Sequence, residues 1–124
     1  LTGVVVASIL KVQLDDLITV DGIRTAVIVG HDGFVIEGVS RDAHADTDAV
    51  GAVISSTIQS SMRAGTDLGI GFLKQGLMEF SEGILVTAAL GDLALLCLLC
   101  DLKANLGAVR LEVRRRAPEL VASL

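Results

Sequence analysis

Residues 64–100 read AGTDLGIGFLKQGLMEFSEGILVTAALGDLALLCLLC. The pattern is a helix end followed by three strands joined by tight turns. Asp67-Leu68-Gly69-Ile70-Gly71 carries the chain off the helix. Residues 72–80 form the first run, turned by Ser81-Glu82-Gly83. Residues 84–90 form the second, turned by Gly91-Asp92, and residues 93–100 form the third. The third run holds no charge and no glycine. A strand of that kind belongs at the centre of a sheet, covered on both faces.

The remainder of the chain extends or covers this meander. Upstream, residues 48–64 carry the longest helical pattern, with Val50, Val53, Ile54, Thr57, Ile58 and Met62 on its apolar side. Its other side is small: Ala49, Ala52, Ser55, Ser56, Gln59 and Ser60, with no bulky charge before Arg63. A solvated helix face normally carries Lys and Glu, whereas small residues let a second helix approach closely. Asp46 or Thr47 can cap this helix.

Before it, residues 24–30 (RTAVIVG) and 34–39 (FVIEGV) flank the hairpin signal His31-Asp32-Gly33. Residues 8–20 place Leu10, Leu14, Leu17 and Ile18 at helical spacing, with Ser8 as the expected N-cap and Asp21-Gly22 as the stop. Residues 1–7 either extend this helix or form a loose arm. At the far end, Asn105 is a natural N-cap for a helix with Leu106, Val109, Val113, Ala117, Leu120 and Leu124 on one stripe. Pro118 lacks an N–H for the carbonyl of Arg114, so the helix is expected to end, kink or restart there.

The order is α-β-β-α-β-β-β-α. Hairpin connections imply a five-stranded antiparallel sheet in an α+β, three-layer α/β/α domain spanning residues 1–124. The middle helix is expected on one face and the terminal helices on the other.

Composition narrows the function. The 124 residues are 52% apolar, carry a net charge of −5 and contain no Trp or Tyr. Neither stacking platforms nor a basic footprint for nucleic acid is available, and anionic membrane is not favoured. No apolar run reaches the roughly 18 residues of a membrane span. Residues 1–7 are apolar but lack the basic flank of a signal peptide, and two cysteines are too few for a disulfide scaffold. A cytoplasmic setting is expected. So rich an aliphatic content also favours oligomerisation, which buries apolar surface that one small core leaves exposed.

No catalytic, cofactor or metal constellation is expected. Cys97 and Cys100 spell CxxC, but strand residues three apart point to opposite faces, so the sulfurs cannot share a metal or a bond. Asp42, His44, Asp46 and Asp48 alternate like cation ligands, yet lack the glycine and terminal Glu of a calcium loop. His31 beside Asp32 is a turn without a nucleophile, and Gly69-Ile70-Gly71 follows a helix where a dinucleotide loop would precede one. Arg114-Arg115-Arg116 reads first as cations late in a helix, and second as a docking patch for an acidic partner.

The ordered set Val20-Asp21-Gly22-Ile23, Asp32-Gly33-Phe34, Leu68-Gly69 with Gly71, Leu77-Met78-Glu79 with Gly83, and Asn105-Leu106-Gly107 with Val109-Arg110 resembles the roadblock (dynein light chain-related) family of bacteria and archaea. The resemblance implies a profilin-like fold and a homodimer without enzymatic activity of its own. The long helix would pack on its mate, and the strand after it would pair edge to edge. Ala52, Ser55, Ser56, Gln59, Ser60, Arg63, Lys74, Gly76 and Met78 are the expected interface residues. The implied partner is a Ras-like small GTPase, whose nucleotide cycle or localisation the dimer would modulate. A pure scaffold subunit and a small-molecule sensor module are the alternatives. Two features depart from the family pattern: Gly76 where a larger residue is usual, and Pro118 in the last helix. No arginine finger carries over, which leaves Arg24, Arg41, Arg63 and Arg110 without an assigned role.

Overall fold

A computed structural model describes the backbone of residues 2–124 and the side chains of residues 9–124. Its elements are α1 (Thr2–Leu17), β1 (Ile23–Gly30), β2 (Val35–Ser40), α2 (Thr47–Asp67), β3 (Gln75–Phe80), β4 (Gly83–Leu90), β5 (Ala94–Cys100) and α3 (Leu106–Ala122). The strands form one antiparallel sheet in the order β2-β1-β5-β4-β3. The uncharged run ALLCLLC thus takes the central position, flanked by β1 and β4.

Alternation along the strands divides the core into two layers. On one face Leu10, Leu14 and Leu17 of α1 and Val109, Val113 and Leu120 of α3 pack with Ala26, Ile28, Val86, Leu96 and Leu98. On the other, Ile54 and Ile58 of α2 pack with Val27, Val29, Leu85, Leu95 and Cys97. The expected three layers are present, with the terminal helices together and the middle helix opposite.

Local signals explain most boundaries. Asp46 accepts a hydrogen bond from Ala49 N (3.1 Å) and caps α2, and Asn105 does the same for α3 through Ala108 N (3.1 Å). The end of α2 is a Schellman turn. Ile70 N donates to Gly65 O and Gly69 N to Thr66 O, with Gly69 at φ +69°. In the first hairpin Gly30 N donates to Phe34 O, while Asp32 Oδ1 accepts from Phe34 N.

Four expectations need correction. α1 begins at Thr2, so Ser8 lies inside the helix and is not its cap. Leu1 lies outside the described residues. β3 starts at Gln75, three residues later than the apolar pattern suggested, because the chain is still leaving the helix end. The carbonyl of Gly71 sits where a side chain on Gly65 would be. Val53 is 68% exposed and does not join the core stripe. Finally, α3 runs through Pro118 to Ala122. Leu120, beyond the proline, is buried in the core, and its packing holds the last turn against the loss of one backbone bond.

Gly76 pairs with Thr87 across the β3–β4 ladder. A Cβ there would lie 2.8 Å from Thr87 Oγ1. The glycine marks a close approach of the Thr87 side chain, which is itself buried.

Candidate interaction surface

α2 is small on two sides, for different reasons. Gly51, Ser55 and Gly65 are buried against the helix's own surroundings. Gly51 lets α2 sit close over β1 and β2, and Ser55 packs toward the Gly33 turn. Ala52, Ser56, Gln59, Ser60 and Arg63 face outward and are exposed. Ser55, expected on the outward face, is therefore reassigned to the inner one.

Beside this outward face lies the open half of the sheet. β3 is an edge strand with β4 as its only neighbour. α2 lies mainly over β1 and β2. Leu85 of β4 is still buried with Ile54 and Ile58, and Met78 of β3 packs against them, while Phe80 at the end of β3 stays open. Val50, Val53, Ile54, Phe80, Leu85 and Leu99 line a groove of ≈560 Å³ between the two. Phe80 is 58% exposed. Lys74 lies exposed just before β3, while Gly76 and Met78 are half-buried on it. None of Ala52, Ser56, Gln59, Ser60, Arg63, Lys74 and Met78 lines this groove, and Lys74 instead lines a second depression with Ser61 and Ala64.

Pattern reading missed a second exposed apolar site, outside this groove. Phe72 is 98% exposed and Ile70 76%. The sequence pattern opens a strand at Phe72 and leaves Ile70 in the segment leaving the helix; the late start of β3 puts both before the strand.

The titratable groups have local roles. Cys97 and Cys100 are buried on opposite faces of β5, and both are free thiols. Burial pushes Cys97 up to about 12. Burial, aided by the Asp101 carboxylate, pushes Cys100 up to about 11. Both stay protonated and unreactive at neutral pH. Asp42 Oδ1 accepts from His44 N (2.9 Å) within its loop. No cluster of three or more His, Cys, Asp or Glu that could hold a metal occurs among the described residues. No helix there is long and apolar enough to cross a membrane.

Two of the four unassigned arginines are occupied. The Arg41 guanidinium grips the end of α1, donating through Nε to Ile18 O (2.8 Å) and through Nη2 to Ile18 O and Val20 O. Arg24 lies 3.6 Å from Asp101. Arg63 and Arg110 are exposed and make no ion pair among the described residues.

The roadblock/LC7 domain profile matches residues 9–100. The chain belongs to the roadblock/LC7 family. An uncharacterized protein of Methanocaldococcus jannaschii is 30% identical to it over 117 residues, covering 94% of this chain and 98% of that protein. Among solved structures, an MglB with a tetrameric arrangement superimposes with a TM-score of 0.87 at 21% identity, covering 95% of this roadblock chain and 89% of that one. The gliding protein MglB of Thermus thermophilus gives 0.84 at 20% identity, covering 95% and 90%. At such identities the two structures establish the shared fold.

Proposed function

We propose that this roadblock/LC7 protein is a non-catalytic, homodimeric regulator or adaptor that binds a Ras-like small GTPase and modulates its nucleotide cycle or its localisation. The observation that carries the reading is the outward face of α2 beside the free edge of β3. Ala52, Ser56, Gln59 and Ser60 are exposed and small, and the adjoining groove holds half-exposed Phe80 and exposed Val53. A second copy related by a two-fold axis would lay its α2 against this face and pair β3 with β3, removing an exposed sheet edge. The resulting two-chain surface would then bias the switch loops of a bound GTPase toward one state. The proposed setting is the cytoplasm, which suits two buried, reduced thiols.

GTP turnover by a small GTPase encoded beside this protein, measured with and without it and alongside a binding titration, tests the reading. Binding with faster or slower turnover is expected. Binding with unchanged turnover would favour the scaffold alternative, and failure of every co-encoded small GTPase to bind would sink the GTPase reading. Arg63→Ala and Arg110→Ala are the informative variants, because Arg24 and Arg41 are engaged within their own chain.

A further inference from the structure

A second depression, separate from the α2–β3 groove, lies where the sheet meets the C-terminal end of α2 and the second half of α3. It measures ≈1180 Å³ and reaches from Ala64 and Gly65 on α2, past residues 70–75, to Val113, Arg114 and Pro118 on α3. That is larger than the roughly 300–1,000 Å³ of small-molecule pockets, and it is an open cleft.

Three observations define what fits it. First, among the described residues its only charged lining residues are Lys74 and Arg114, both cations, in a chain of net charge −5. Neither makes an ion pair among the described residues. Second, it is largely apolar, and Ile70 and Phe72 stand at its wall 76% and 98% exposed. Third, the β3–β4 ladder stops at Lys74, whose carbonyl accepts from Ala89 N. Beyond it the backbone N–H groups of Gly71, Phe72 and Leu73 have no partner within the described chain. Unpaired donors along an irregular segment are the feature that recruits a chain in extended conformation.

We propose that this cleft docks an extended, acidic and apolar peptide segment of a partner protein. Carboxylates of the segment meet Lys74 and Arg114, alternate apolar side chains cover Ile70 and Phe72, and its carbonyls accept from residues 71–73. Charge selects the partner: a basic segment would bring like charges against both cations. Arg114 is on α3, across the sheet from α2 and outside the surface proposed for a second copy, whereas Lys74 is also among the residues expected at that surface. The inference does not need the GTPase reading, and Arg114 is the residue that separates it from the proposed dimer.

The test is fluorescence anisotropy on the full chain with a short fluorescein-labelled peptide in which glutamate alternates with leucine, and with its lysine-for-glutamate counterpart. The acidic peptide should bind and the basic one should not. Lys74→Glu and Arg114→Glu should each weaken binding by about three- to fivefold and together by about tenfold or more, with Arg114→Gln intermediate. Lys11→Glu, at an exposed site on α1, should change it by less than about twofold. Absence of binding, equal binding of the basic peptide, or indifference to Arg114→Glu would overturn the proposal. So would a loss of self-association in Arg114→Glu, which would give the cleft to a second copy.

Discussion

Gly51 of α2 and Val35 of β2 meet so closely that a Cβ on Gly51 would lie 2.5 Å from Val35 Cγ2. The contact fixes how deeply the middle helix sits on the sheet. It therefore also sets the height at which the outward face of α2 stands above the β3 edge.

Gly51→Ala should destabilise the protein although alanine is the better helix former by about 1 kcal/mol. The added methyl meets a β-branched side chain with little freedom to turn, and overpacking of this kind costs about 1–3 kcal/mol. A lowered Tm is the expected result. Adding Val35→Ala should recover part of the loss relative to Val35→Ala alone, because that change removes the obstructing methyl. Equal sensitivity in both backgrounds would show that the contact is not the cause.

Much of the fold was legible in sequence because one property decides it. ALLCLLC is the best candidate for a central strand, and the stripes Leu10-Leu14-Leu17 and Val109-Val113 mark helices available to cover a sheet. The α2 surface was less legible because small residues serve two purposes there. Gly51 and Ser55 are small so that the sheet can come close, whereas Ala52 and Ser56 are small on the open side. Periodicity sees one kind of residue in both places. It also puts Val53 on the apolar side of α2 and Phe72 in a strand, since an exposed apolar side chain has the same pattern as a buried one. Arg41 could not be placed at all, because its partners are backbone carbonyls 23 and 21 residues away.

Arg116 ties the two terminal helices together. It pairs with Asp16 of α1 and, through Nε, with Glu112 Oε2 at 3.0 Å on its own helix. The hydrogen bond to Asp16 is the leading cause that holds its guanidinium more basic than usual, followed by an opposing desolvation and the bond to Glu112. Asp16 is 64% exposed, so the pair is screened by solvent. Arg116→Met should cost about 1 kcal/mol, Asp16→Asn less, and a double-mutant cycle should give a coupling below about 1 kcal/mol that shrinks in high salt. A coupling that survives molar salt would point to packing instead of charge.

The two thiols predict an alkaline limit. Their folded values, about 12 for Cys97 and about 11 for Cys100, lie above the ordinary thiol value of 9.0. Below that ordinary value both states hold the proton, and the stabilising difference is fully present. As pH rises through the folded values it is lost, because the unfolded chain releases protons first. Denaturant midpoints should therefore fall from about pH 9 upward, less steeply in Cys97→Ala. Thiol reagents at pH 8 should label neither cysteine until the chain is unfolded, and rapid labelling of the native protein would contradict the burial.

Sedimentation equilibrium of the wild type and of Ser56→Arg across a micromolar dilution series bears most directly on the α2 face as the place where two chains meet. Ser56 is exposed on α2, so the substitution leaves the chain's own core untouched. A dimer mass for the wild type and a monomer mass for a folded Ser56→Arg are predicted. A wild-type monomer, or a dimer that Ser56→Arg leaves intact, would contradict it.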